Sequence, residues 1–222
     1  MKLKRATMGL IVVSAFHLLM CAGCASRQVK VALKYAPTGT ALLSNLQPAV
    51  VSLQVVDQRP KEQRDNIGVQ RNTAFGTRHA AVVSKTREVQ VVHNALKNEL
   101  ERSGHRILNP GEGRAEIVVS VALTQFFFDS KAAGDHIELV ASIRADVVVS
   151  AGIGNVPQVL FTVESAYRDF VQLGLIRPAL FGLWGMLSSV TQKSDIEKAL
   201  NGALAEFVRL FCLEPKLRQV FI

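Results

Sequence analysis

Hydrophobic and polar positions alternate most cleanly in the middle of the chain. In 115–127 the apolar set is Ile117, Val119, Val121 and Leu123. In 137–150 it is Ile137, Leu139, Ala141, Ile143, Ala145, Val147 and Val149, opposite Glu138, Ser142, Arg144, Asp146 and Ser150. In 157–169 Val159, Phe161 and Val163 alternate with Gln158, Thr162 and Glu164. A two-residue period with short polar links predicts three strands in an antiparallel meander, apolar on one face. Val51, Leu53 and Val55 predict an earlier strand over 50–57, and His105–Leu108 a short one.

Two stretches change to helical spacing. Val89, Val92, Leu96 and Leu100 form a stripe over 85–103, with Lys97, Glu99, Glu101 and Arg102 assigned to the other side and Gly104 as a C-terminal cap. Ile196, Ala199, Leu200, Ala203, Leu204, Phe207, Val208 and Phe211 form a wider stripe behind Ser194-Asp195-Ile196-Glu197, which reads as a capping box. A sheet with one apolar face needs a cover, and two amphipathic helices supply it. The expected fold class is therefore α+β: a two-layer sandwich, with a mainly antiparallel sheet of about four to five strands covered by two amphipathic helices. Residues 61–82 read as polar and irregular, and 24–49 as a tether and lead-in that spaces a single domain over 50–222 from a membrane.

The N-terminus follows different rules. Lys2, Lys4 and Arg5 precede an eleven-residue apolar run, Leu10–Met20, and no acidic residue occurs before Asp57. That is a secretory signal, because a spanning helix needs about 20 apolar residues. The following Cys21-Ala22-Gly23-Cys24 resembles a bacterial lipobox, which implies removal of residues 1–23 and acylation of Cys24. More than one acyl chain makes a stable anchor, each buried methylene contributing about 0.8 kcal/mol. Ala25 and Ser26, with no Asp beside the Cys, imply by the same resemblance the outer membrane, periplasmic face, over the inner one.

Charge and cysteine content fit this address. The 222-residue chain has 26 basic and 18 acidic residues, net +8. Loss of Lys2, Lys4 and Arg5 leaves 23 against 18, or +5, without a clustered basic stripe, so nucleic acid is not an expected partner. Cys212 remains as one thiol without a disulfide mate, placed on or near the apolar face of the last helix, where a buried and inert sulfur is expected.

Residues 171–190 fit no element of the plan. Twelve of the twenty are apolar, Arg177 is the only charge, and Pro178 interrupts any straight helix. The stretch is a packed connection, a hairpin dipping into lipid, or a docking patch. Its candidate membrane or partner contacts are Leu175, Ile176, Leu180, Phe181, Leu183, Trp184, Met186 and Leu187, with Trp184 suited to an interface.

The lipobox, the strand ending Val55-Val56-Asp57-Gln58-Arg59, the helix ending at Gly104 and the strand triplet together resemble the YajG-type bacterial lipoproteins, over roughly 50–170 and 194–212. That resemblance implies a non-enzymatic envelope lipoprotein that binds or scaffolds, with the membrane and an envelope protein as partners. The layout is also similar to auxiliary lipoproteins of envelope transport systems, which implies contact with lipid or a membrane complex through 171–190. Asp57 and Arg59 read as a site at a strand end or as an ion pair shaping the turn before Pro60. His79, His93, His105 and His136 lack metal-ligand spacing, and Gly152-Ile153-Gly154 reads as a hairpin turn. No catalytic residue, metal or cofactor is expected.

Overall fold

The computed structural model describes residues 27–37, 39–71, 78–109, 112–133, 136–151, 158–172 and 192–222. Its centre is the expected meander, with longer strands: β6 (Ile117–Ala133), β7 (His136–Ala151) and β8 (Val159–Gln172). β7 pairs antiparallel with both neighbours, and the β7/β8 register runs unbroken from His136↔Gln172 to Val149↔Val159.

The rest of the sheet corrects the expected fold. Five further strands join it: β1 (Arg27–Val31), β2 (Val50–Asp57), β3 (Gly68–Arg71), β4 (Arg78–Ser84) and β5 (Arg106–Leu108). The result is one eight-stranded sheet, in place of four to five strands. It is also mixed, because β1/β4, β2/β5, β2/β6 and β3/β6 are parallel. β6 organises the layout. One edge of β6 carries β7, while the other is shared by β2, opposite Ile117–Leu123, and β3, opposite Phe128–Asp129. A bulge between Leu123 and Gln125 lies where the two sharers meet. It shifts the alternation, so the buried set changes from Ile117, Val119, Val121 and Leu123 to Phe126 and Phe128.

Four helices, not two, occur among the described residues: α1 (Lys61–Arg64), α2 (Glu88–Arg102), α3 (Lys193–Leu213) and α4 (Pro215–Val220). α2 packs on β2 and β5, and α3 on β8 and β7. Burial of Ile196, Leu200, Leu204, Phe207, Val208 and Phe211 on α3 contributes about 1.5–3 kcal/mol for each large side chain. α2 ends as its sequence suggests: Gly104 takes φ +92°, a left-handed conformation that a side chain would strain. The start of α3 differs from expectation. Asp195 accepts from the backbone N–H of Gln192 (3.2 Å), so Gln192 takes the N-cap place two residues before Ser194 and the helix begins at Lys193. Glu197 is left to accept from Ala32 N–H at 2.7 Å.

The expected spacer also takes part in the fold. From Arg27 onward it supplies β1, and Val31 and Leu43 are fully buried in the core. The signal segment and Cys24 lie outside the described residues, as does nearly all of the 171–190 stretch.

Candidate functional site

After β1 the chain leaves the sheet and crosses the helices as a strap, described over 32–37 and 39–49. The helices bind it with side chains on their seam. Besides Glu197, Asn201 Oδ1 accepts from Lys34 N–H (2.8 Å), Ser103 Oγ from Leu43 N–H (3.3 Å) and His105 Nδ1 from Ala49 N–H (3.3 Å). Glu99 is the centre of this seam. Its carboxylate accepts from the Tyr35 hydroxyl (2.9 Å), Leu42 N–H (2.9 Å) and Arg102 Nη1 (2.9 Å). Arg102 Nη2 also donates to Gly39 O at 2.8 Å. Glu99 is buried, contrary to its assignment to the polar side of α2. A buried carboxylate is tolerated only when its lone pairs are filled, and three donors fill these. Burial, aided by Glu99, pushes the Tyr35 phenol well above its usual range, so it remains a donor.

Tyr35 separates two shallow grooves of about 310 and 320 Å³. The first runs past Leu42 to Glu206 and Arg209 on α3, whose side chains already form a two-pronged pair at 2.7 Å. The second runs past Lys34 and Thr86 to Asn94 and Asn98 on α2. Both volumes lie at the small end of the range for ligand clefts.

A second polar cluster occupies the turn between β2 and β3. Arg59 Nε and Nη2 donate to the two carboxylate oxygens of Asp57 (2.9 and 2.8 Å), and Nη2 also donates to Glu88 Oε2 (2.8 Å). Nη1 donates to Gln63 O (3.3 Å), and Arg64 Nε caps Arg59 O (2.8 Å). The Arg59 side chain is wholly buried, while Asp57 is partly exposed. The hydrogen-bonded guanidinium holds the Asp57 carboxyl below its ordinary value of 3.8. Of the two readings of Asp57 and Arg59, the geometry fits the ion pair that shapes the turn, and Glu88 extends it to the first residue of α2. A carboxylate is favoured there by the helix dipole.

Two further reactive side chains are packed away. Cys212 is fully buried, as its place on the stripe implies, and burial pushes its thiol far up. His105 lies against Phe221 (ring centroids 4.6 Å apart), and burial lowers its pKa below 6.5. Among the described residues, no group of three or more His, Cys, Asp or Glu is gathered to hold a metal ion. No helix among them is long and apolar enough to cross a membrane. The predicted lipid site Cys24 and the predicted contacts Leu175, Ile176, Leu180, Phe181, Leu183, Trp184, Met186 and Leu187 all lie outside the described residues. The strap seam was missed in the sequence, although Glu99 stands one turn after Leu96 on the apolar stripe, which is the signal a buried carboxylate leaves.

No protein-family model and no curated protein matches the chain. Solved structures similar to it include a Xanthomonas campestris protein of the DUF330 family-model, at 12% identity and TM-score 0.45, covering 88% of this chain and 96% of that one. A minor lipoprotein from Acinetobacter baumannii is similar at 10% identity and TM-score 0.37, covering 78% and 95%. Uncharacterized lipoprotein B from Nitrosomonas europaea is similar at 10% identity and TM-score 0.35, covering 80% and 89%.

Proposed function

We propose that the chain is a non-catalytic lipoprotein of the bacterial outer membrane, facing the periplasm, which works by binding or scaffolding. The observation that carries this reading is the Ala22-Gly23-Cys24 step behind its apolar run, taken with the start of β1 at Arg27. Two residues, Ala25 and Ser26, separate the acylated Cys from the sheet, and the three Cα–Cα steps from Cys24 to Arg27 span only about 10 Å when extended. The domain is thus held close to the bilayer, and confinement raises its effective concentration towards membrane-bound partners without added contacts. The YajG-type resemblance belongs to the same proposal. Membrane fractionation tests it: the native chain floats with outer-membrane lipid and resists a buffer wash, and Cys24→Ser releases it. A native chain washed free by buffer alone overturns the proposal.

The apolar composition of 171–190 favours a second reading, an auxiliary lipoprotein of an envelope transport system that touches lipid or a membrane complex through that stretch. Its deletion discriminates between the two. A folded but inactive product supports a working surface, and an unfolded product makes the stretch part of the core.

A further inference from the structure

β8 is an edge strand. It pairs only with β7 among the described strands, and it is 14 residues long. Long flat edges expose a row of backbone donors and acceptors that invite a further strand. Which residues present that row follows from one contact: Lys216 Nζ donates to Leu160 O at 3.3 Å, so the backbone groups of Leu160 point away from β7. By the period of a strand, those of Thr162, Glu164, Ala166, Arg168 and Phe170 do the same. These residues also turn their side chains to the sheet face opposite α3, and every one of them is exposed. Leu160 is 62% and Phe170 58% exposed, the most exposed large hydrophobic side chains of the described sheet.

The placement of these residues is self-complementary. Leu160 and Phe170 stand at equal distances on either side of Ser165. We propose that β8 pairs antiparallel with β8 of a second copy of this chain about a two-fold axis at Ser165, joining two eight-stranded sheets edge to edge. In that register Leu160 lies opposite Phe170 of the other copy, twice. Glu164 lies opposite Ala166 and diagonal to Arg168, within reach of long side chains. Both apolar residues are then matched by the same operation, as an isologous contact requires, while Arg144 and Arg168 offset the two Glu164 carboxylates that face each other diagonally across the axis. Lys216 holds one end of the free edge in the monomer and must leave Leu160 O when the strands pair. The pairing does not depend on acylation.

The test uses the full chain, extracted from membranes in mild detergent. Protein mass from sedimentation should double with concentration for the native chain. The Leu160→Glu/Phe170→Glu variant should stay monomeric and keep the native circular dichroism spectrum, since both side chains are mostly exposed and Phe170 gives up only an edge contact with the His136 ring. Lys216→Ala should raise the dimer fraction. Cysteines give the register: two Ala166→Cys residues sit diagonally across the axis and should be joined by a short bismaleimide, whereas two Thr162→Cys residues stand about 20 Å apart and should not. A native chain that remains monomeric overturns the proposal, as does a dimer that survives the double variant or links equally well through position 162. Because Cys24→Ser protein should dimerise as the native chain does, failure here is distinguishable from failure of the lipid anchor.

Discussion

Replacing Arg59 with Met removes the one positive charge between two carboxylates. Asp57 and Glu88 both lie 2.8 Å from the same guanidinium nitrogen, and the Glu88 side chain is only 9% exposed. Arg59→Met therefore leaves a buried carboxylate without a partner beside a second one, and drops the link from the β2–β3 turn to the start of α2. Breaking a buried pair in this way costs about 3–5 kcal/mol. For a chain of this size each kcal/mol lowers the melting temperature by about 2–4 °C, so the loss is roughly 6–20 °C. Urea unfolding of the mature chain, followed by circular dichroism, measures it. The neutral triple variant Asp57→Asn/Arg59→Met/Glu88→Gln should recover much of the deficit, because it leaves no buried charge unpaired. Acid should narrow the gap between native and Arg59→Met. The native Asp57 carboxyl sits below 3.8, so its contribution is full above that value and is lost as pH falls through the lower, folded one. A loss under about 1 kcal/mol, or a triple variant as unstable as the single one, would mean that the Arg59 charge does not hold the turn together.

Three further outcomes follow from the strap and the core. Glu99→Ala should strip Tyr35, Leu42 and Arg102 of their shared acceptor, and hydrogen exchange should accelerate at Leu42 and Leu43 well before β6 or β7 is affected. Gly202→Val should destabilise by more than about 2 kcal/mol, because a Cβ there meets the Tyr167 ring at 2.8 Å; adding Tyr167→Ala should relieve part of it in thermal melts. His105 has a folded pKa depressed below 6.5, so the unfolded chain binds more protons there, and stability should fall as pH drops below that value. His105→Phe should flatten this part of the stability-versus-pH curve.

Much of the fold is legible in the chain, for reasons that particular residues show. β7 alternates without interruption because both of its neighbours are antiparallel and unbulged along most of its length, so a two-residue period suffices to find it. β6 reads correctly only as far as Leu123, since the bulge resets the phase before Phe126 and Phe128. β1, β3 and β4 lie in stretches that read as spacer or polar loop, and β4 and β3 join the sheet through β1 and β6, which are far away in sequence. The parallel pairings escape for the same reason, because alternation reports which face a residue takes and not the direction of the strand beside it. Glu99 and Arg59 escape through chemistry. Charged side chains are ordinarily placed in water, and only the partners gathered around these two make burial tolerable. Ser194 shows the limit of a motif: its spacing is that of a capping box, yet Gln192 is the N-cap and Glu197 serves the strap.

Acylation of Cys24 underlies the proposed attachment to the membrane, and metabolic labelling with palmitate measures it directly. Label should enter the native chain and the Cys21→Ser variant and be absent from Cys24→Ser. A native chain without label, or a Cys24→Ser chain that retains it, would mean that Cys24 is not the lipid anchor.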